Sequence, residues 1–198
     1  MCSPQKRKET TVDKAIEVID GWVYETSEDN KYRYILGKPG RSSLVCVGVN
    51  PSRAKPGDLD PTMVQLKNRA AVNGYDGFIM VNLWPERSTD PNGITDEPDE
   101  SIFRNNAEYV RKACLYGDFV IWAAWGNLIE TKPYLVKGLR EIVSELGDLG
   151  FDKWRHVGPL TKKDHPHHPL FLAANASFEP FVIEDYLQKI DAGKRPNV

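Results

Sequence analysis

The sequence has few cysteines and no long apolar run. Its three cysteines, Cys2, Cys46 and Cys114, lie far apart and form no CxxC pair, which argues against a disulfide framework, a zinc knuckle or an iron–sulfur cluster. No apolar run approaches the roughly 20 residues of a membrane helix, and the first residues lack the apolar stretch of a secretory signal. We therefore expect a cytoplasmic protein without a membrane partner.

The chain also lacks a large excess of charge and the common phosphate-binding motifs. Its formal net charge of -2 supplies no global attraction to a polyanion, so contact with nucleic acid would rely on local basic patches such as Arg53 with Lys55, or Lys162 with Lys163. Neither GxxxxGK[ST] nor GxGxxG occurs, and we therefore expect no nucleotide cofactor.

At 198 residues the chain is long enough for one domain with a substantial core. We predict an N-terminal extension over residues 1–20, with a short helix at 11–19, a single α/β domain over 21–190 and a C-terminal tail over 191–198.

Apolar runs rich in β-branched residues alternate with segments of helical periodicity. In chain order they are SLVCVGV, MVQLKNRAAVNG, GFIMVNL, SIFRNNAEYVRKAC, FVIWAAW, KPYLVKGLREIVSEL and KWRHVG. This order predicts a three-layer αβα sandwich with a central parallel sheet of about four strands. The run YRYILG before a Lys-Pro-Gly turn predicts an antiparallel strand beside the first parallel strand.

Polar residues follow each of the four predicted parallel strands. They are Asn50-Pro51-Ser52, Asn82, Gly126-Asn127 and the segment 164–168 with three histidines. Ligands of open parallel sheets bind beyond the carboxyl ends of the strands. A single Asn-Pro pair is more often an ordinary turn. Because a polar cluster follows every one of the four predicted parallel strands, we favour a binding site.

These motifs resemble those of a known superfamily. The set VGVNPS, VNLWPERSTDP, WAAWGN and HPHHPLF resembles the strand-end motifs of the uracil-DNA glycosylase superfamily. More narrowly, the combination of NPS, DPT, VNLWPERSTDP, AAWGN and HPHHPLFL resembles domain-of-unknown-function family 1643 (DUF1643) over residues 33 to about 181. The wider resemblance implies a glycosylase-like fold and a pocket for a nucleobase, a nucleotide or DNA.

The wider resemblance also implies roles for individual residues. Asn50 matches the residue that positions the attacking water, and Asn82 matches the asparagine that reads the Watson–Crick edge of a pyrimidine. His165 matches the histidine that donates to the departing base oxygen, where charge develops. Leu170 matches the wedge that fills the stack when a base is flipped out, and Pro51, Ser52 and Asn127 would flank the base.

The sequence departs from the superfamily pattern in two places. The histidine segment has one added residue, so His168 is an alternative to His165. No phenylalanine follows Asn50 closely enough to stack on a base. We expect Trp84 to replace it, since Trp84 follows Asn82 by two residues and shares its face if the strand continues.

Three residues or clusters have competing interpretations. Asp60 precedes Pro61 at a predicted helix start, which favours an N-cap over contact with substrate. The cluster of Asp164 and the histidines invites a metal, but the chain has no HExxH or cysteine pair to complete a site, so we expect none. Arg87 fits a salt-bridged loop slightly better than a phosphate contact.

The sequence leaves three functions open. The first is a hydrolase of glycosylase type, acting on the base–sugar bond of a natural or modified base in DNA or a nucleotide. The second is a transferase that modifies bases of DNA, and the third is a non-catalytic base-binding module. The second and third stay open because the amide of Asn50 cannot serve as a general base at neutral pH.

Overall fold

A computed structural model of the chain describes residues 16–149 and 151–193. Most of the helix predicted at 11–19 and residues 194–198 of the predicted tail lie outside these residues. The strands are β1 (Val23–Thr26), β2 (Arg33–Lys38), β3 (Ser42–Gly48), β4 (Gly77–Asn82), β5 (Asp118–Ala123), β6 (Trp154–Val157) and β7 (Phe178–Pro180). The helices are α1 (Pro61–Val72), α2 (Glu100–Cys114), α3 (Tyr134–Leu146) and α4 (Ile183–Asp191).

The seven strands form one mixed sheet in the order β1-β2-β4-β3-β5-β6-β7. Neighbouring strands are parallel from β4 through β3 and β5 to β6, which confirms the predicted α/β class and the four parallel strands. The predicted strand count was too small, because β1 and β7 add antiparallel edges to β2 and β6. These two strands are only four and three residues long, too short for a clear alternation.

The prediction that β2 pairs with β3 is wrong, since β2 pairs antiparallel with β4. The chain after β2 does not form a tight hairpin but crosses the start of β4. The Ser42 amide donates to Oδ1 of Asp76 at 2.7 Å, and the Asp76 amide donates to the Ser42 carbonyl at 3.0 Å. These two bonds fix the crossing point, so β3 enters the sheet on the far side of β4.

Helices cover both faces of the sheet. Leu44 and Cys46 of β3 belong to a core that includes Met63 and Leu66 of α1. The alternate residues Val45 and Val47 belong to the core on the other face, which includes buried residues of α2, α3 and α4. Among the described helices, none is long and apolar enough to cross a membrane.

Candidate functional site

A cavity of about 270 Å³ lies at the carboxyl ends of β3 and β4, on the face that α1 covers. Its polar wall includes Arg33, Asn50, Ser52, Asp60, Asn82 and His168. Cys46 and Met80 contribute apolar wall, and burial raises the pKa of the Cys46 thiol, so that the thiol stays protonated. The volume is close to the lower end of the range for small-molecule sites, about 300–1,000 Å³.

Asn82 is the last residue of β4 and lines this cavity. The residue is 2% exposed, yet its Nδ2 atom has no hydrogen-bond partner among the described residues. The backbone around it is well held: its carbonyl accepts from Nδ2 of Asn106 at 2.8 Å. An unpaired buried amide costs about 1–3 kcal/mol. A polar ligand in the cavity would remove that cost.

Asn50 lines the same cavity, two residues after β3. Its Nδ2 donates to the Ser88 carbonyl at 3.0 Å and to the Pro51 carbonyl at 3.3 Å. Both partners can only accept, which fixes the orientation of the amide. The Oδ1 atom of Asn50 is therefore left as an acceptor for a water or a ligand donor.

Ser52 and Asp60 form a hydrogen-bonded pair in the cavity wall. Asp60 is the N-cap of α1, as predicted, and its Oδ1 accepts from the Met63 amide at 2.8 Å. The Ser52 hydroxyl donates to its other oxygen, Oδ2. Asp60 thus serves the helix and faces the cavity, but both of its oxygens already accept a hydrogen bond.

His168 is the histidine that lines the cavity. Its Nδ1 accepts from the Leu170 amide at 3.4 Å, which leaves the proton on Nε2 in the neutral ring. Burial lowers the pKa of His168 below its ordinary 6.5, and the opposing charge of Asp60 is the smaller influence. His168 is therefore a neutral donor at pH 7.

Gly126 fixes the place of His168 from the neighbouring turn. Its backbone has a φ of +61°, and a Cβ atom there would lie 3.4 Å from Cβ of His168. Its amide donates to the Pro166 carbonyl at 2.8 Å. The turn after β5 thus packs directly against the histidine segment.

The structure places His165 away from this cavity. His165 is 5% exposed, its Nδ1 lies 2.8 Å from the Tyr186 hydroxyl, and its Nε2 lies 3.1 Å from Oε1 of Glu130. Both ring nitrogens are therefore engaged. Of the two histidines that the sequence left open, the geometry selects His168 as the one facing the site.

Trp84 is not the stacking platform that we predicted. The strand ends at Asn82, and the next two amides donate to the successive carbonyls of Gly48 and Val49, both at 2.9 Å, which breaks the alternation of the strand. Trp84 is consequently fully buried on the opposite face, and its Nε1 donates to Glu86 at 3.0 Å.

Other predicted residues surround the cavity without lining it. Asn127 is exposed and accepts from the Thr161 hydroxyl at 2.7 Å in a neighbouring depression. Pro51 is buried and uses its carbonyl to bind Asn50 and the Ser88 amide. Both residues lie next to the cavity, and neither side chain lines it.

The predicted phosphate contacts are dispersed. Arg53 and Lys55 are exposed outside the cavity wall, and Lys163 pairs with Glu130 at 2.5 Å. Arg87 is not in a salt bridge among the described residues: its Nη1 donates to the Ser52 carbonyl at 2.8 Å and its Nη2 to the Tyr24 hydroxyl at 2.5 Å. Arg87 therefore holds the loop after β3 in place.

The mouth of the cavity is apolar. Leu170 and Phe171, in a short 3₁₀ turn (Pro169–Phe171), are 47% and 76% exposed and line the opening. Arg69 of α1 fastens the chain behind this turn, since its guanidinium donates to the carbonyls of Ala176 at 2.7 Å and Ala173 at 3.0 Å. Two large apolar side chains thus lie at the entrance, on a segment that Arg69 anchors.

Sequence reasoning missed Arg33, the first residue of β2. It is 2% exposed, lines the cavity and donates from Nη1 to the Ala54 carbonyl at 3.1 Å. Its position at the start of an alternating strand gave no local signal, because a charged residue there is ordinarily solvated. Ser88 and Thr89, which also line the cavity, were missed for a similar reason.

The molecule is thus an α/β protein with a small cavity, lined by polar and apolar side chains, at the carboxyl ends of adjacent parallel strands. A family model described as "Protein of unknown function (DUF1643)" matches residues 33–170, more than half of the chain, and the chain belongs to this family. The match includes every cavity residue named above except Phe171. No curated protein and no solved structure matches the chain.

Proposed function

We propose that the protein recognises a nucleobase in this cavity and hydrolyses its bond to the sugar, as enzymes of the uracil-DNA glycosylase superfamily do. We also propose that the α/β fold of the chain is glycosylase-like. The observation that carries it is the carboxamide of Asn82, which is buried in the cavity wall without a protein partner for its Nδ2 among the described residues. A carboxamide offers donors and an acceptor side by side, which is what the edge of a base requires.

The water would be held by Asn50. Its Nδ2 is committed to two backbone carbonyls, so Oδ1 can accept from one water hydrogen and orient the oxygen toward the sugar carbon. As that carbon–nitrogen bond breaks, its electron pair moves to the base and positive charge grows on the sugar. Asp60, the carboxylate among the described residues of the cavity wall, would favour that charge. The water oxygen then bonds to the sugar carbon, and the proton that the water loses ends on the departing base.

The departing base would be stabilised by His168. A neutral imidazole with its proton on Nε2 can donate to a base oxygen on which negative charge accumulates. The lowered pKa of His168 supports this role, because the ring is then uncharged at neutral pH and keeps that donor. The apolar entrance formed by Leu170 and Phe171 would limit water around the reacting bond.

One observation favours a second function, which is base binding or base modification without hydrolysis. Both oxygens of Asp60 already accept hydrogen bonds, and the amide of Asn50 cannot take a proton from water. The described wall therefore contains no carboxylate oxygen that is free of protein hydrogen bonds. A base-modifying transferase or a non-catalytic module would use the same recognition by Asn82.

Mass spectrometry separates these functions. The protein would be incubated with oligonucleotides, single- and double-stranded, and with nucleotides that carry natural, deaminated and modified bases. A released base, or an abasic site that alkali cleaves, supports hydrolysis, whereas a gain in mass supports transfer. An unchanged substrate that nevertheless binds would leave a binding module, and a panel in which nothing binds would overturn the proposal. Asn82→Ala, which lacks the recognising amide, is the control for each activity.

A further inference from the structure

Arg33 presents one edge of its guanidinium without a partner. Nη1 donates to the Ala54 carbonyl at 3.1 Å. Within residues 16–149 and 151–193, neither Nε nor Nη2 has a hydrogen-bond partner. Nε and Nη2 lie on the same edge of the planar group, where two parallel N–H bonds match two oxygens of a carboxylate or phosphate. The edge suited to a bidentate anion is therefore the one without a protein partner among the described residues.

The charge of Arg33 is not neutralised by an ion pair in the part of the chain that the structure describes. Asp60 is the carboxylate that acts on it, but the oxygens of Asp60 accept from Ser52 and Met63. Arg87 adds a second positive charge nearby. Burial, more than this repulsion, lowers the pKa of Arg33 to about 10, so it stays charged at neutral pH. Arg33 and Arg87 together thus carry one positive charge more than Asp60 balances.

We propose that Arg33 binds the terminal phosphate of a free nucleotide, so that the ligand of the cavity is a nucleoside monophosphate. This inference rests on the proposed recognition of a base by Asn82, which lines the same cavity. The base edge and the phosphate would then be read by two separate buried groups of one small site.

Burial of Arg33 favours a free nucleotide over an internal residue of a nucleic acid. Arg33 is 2% exposed within a cavity of about 270 Å³. The phosphate inside a strand is bonded to sugars on both sides, and the strand would have to enter and leave the cavity to reach Arg33. A terminal phosphate has one such bond and carries more negative charge. The formal net charge of -2 agrees, since it offers no general attraction to a polyanion.

Titration calorimetry with matched ligands tests the inference. The probes are nucleoside 5′-monophosphates, the corresponding nucleosides, inorganic phosphate, and a short oligonucleotide with or without a 5′-phosphate. For the wild-type protein we expect a monophosphate to bind about tenfold more tightly than its nucleoside, or better, because charge-assisted hydrogen bonds are strong. Stronger binding of the 5′-phosphorylated oligonucleotide than of the monophosphate would instead assign the site to strand ends.

We use two variants of Arg33, so that the test remains valid if either variant folds poorly. Arg33→Met removes the charge and the donors, and Arg33→Gln keeps an amide that can donate to the Ala54 carbonyl. We expect both to bind monophosphate and nucleoside with similar affinity. The matched control is Arg87→Met, which also removes a guanidinium from the Ala54 carbonyl but does not line the cavity. Its preference for the monophosphate should be smaller but kept, because the variant removes a nearby charge and leaves the donors of Arg33 in the cavity.

The outcomes separate this inference from the proposed function. If nucleosides bind and the phosphate adds nothing, or if Arg33→Met keeps the preference, the role of Arg33 is overturned and base recognition stands. If inorganic phosphate binds and Arg33→Met abolishes that binding, while no base or nucleoside binds, the anion site stands and base recognition fails. A preference lost in Arg33→Met and kept in Arg87→Met supports both.

Discussion

The Oδ1 atom of Asn82 lies 3.0 Å from the point that a Cβ atom on Gly48 would occupy. The two residues end neighbouring parallel strands and are paired in register. Because Gly48 has no side chain, there is room for the Asn82 carboxamide at the cavity wall. The glycine in the motif VGVNPS is there for its small size as well as for the turn that follows.

The first prediction concerns this contact. Gly48→Ala should press on the Asn82 carboxamide, which is the movable end of a side chain, and weaken ligand affinity by about tenfold while leaving most of the stability intact. Gly147→Ala is the control, because among the described residues no atom beyond its chain neighbours and its own helix lies within 4 Å of a Cβ there. Calorimetry with the best-binding base or nucleotide gives the affinity, and thermal unfolding gives the stability. Undiminished affinity in Gly48→Ala would contradict the account.

The second prediction compares two buried asparagines by urea unfolding. Asn82→Ala removes a buried Nδ2 that has no partner in the described chain, so we expect the free energy of unfolding to stay the same or to rise by up to about 1–3 kcal/mol. Asn106→Ala removes the donor to the Asn82 carbonyl and should cost about 1–3 kcal/mol. A larger loss for Asn82→Ala than for Asn106→Ala would indicate that Asn82 is a structural residue.

The third prediction is a pH dependence at His168. Its pKa in the folded chain lies below the ordinary 6.5, so between these values the unfolded chain binds a proton that the folded chain does not. The free energy of unfolding should therefore fall as the pH falls through this window. His168→Gln should flatten that part of the curve, measured by urea unfolding at closely spaced pH values. An unchanged slope would show that His168 is not the group responsible.

The fourth prediction separates the two histidines by their effects. His168→Ala should lower base release, or ligand affinity if no release occurs, with little change in melting temperature. His165→Ala should lower the melting temperature, since it removes one hydrogen-bond partner of the Tyr186 hydroxyl and one of Glu130. The reverse pattern would return the role in the site to His165.

The fifth prediction is that chelation leaves binding and any base release unchanged. Nδ1 of His168 accepts from Leu170, and both nitrogens of His165 are engaged, so these rings have little left for a metal. Among the described residues, no group of three or more His, Cys, Asp or Glu side chains is placed to hold an ion. A stoichiometric metal in elemental analysis, lost together with activity, would contradict this prediction.

Regular features of the fold were predictable from local patterns. Runs such as SLVCVGV and FVIWAAW are long enough to identify β3 and β5, and the period of SIFRNNAEYVRKAC identifies α2. The short edge strands and α4, nine residues long, were not predicted. The pairing of β2 with β4 could not be read from local sequence either, because it depends on where the chain crosses after Lys38.

The strand-end rule identified Asn50 and Asn82 because parallel strands bring their carboxyl ends to one edge of the sheet. It did not identify Arg33, which enters the cavity from the start of the antiparallel strand β2. The placement of Trp84 was wrong because strand alternation was extended beyond the last paired residue, Asn82. The choice between His165 and His168 required the position of Tyr186 on α4, whose hydroxyl lies 2.8 Å from Nδ1 of His165.

The central claim, that Asn82 reads a nucleobase, is tested most directly by titration calorimetry of the wild-type protein and Asn82→Ala against one panel of free bases, nucleosides and nucleotides. The account predicts that the wild-type protein binds a member of the panel and that Asn82→Ala binds it about 5- to 150-fold more weakly, equivalent to roughly 1–3 kcal/mol. Equal affinity in the two proteins, or no binding to any member of the panel, would contradict it.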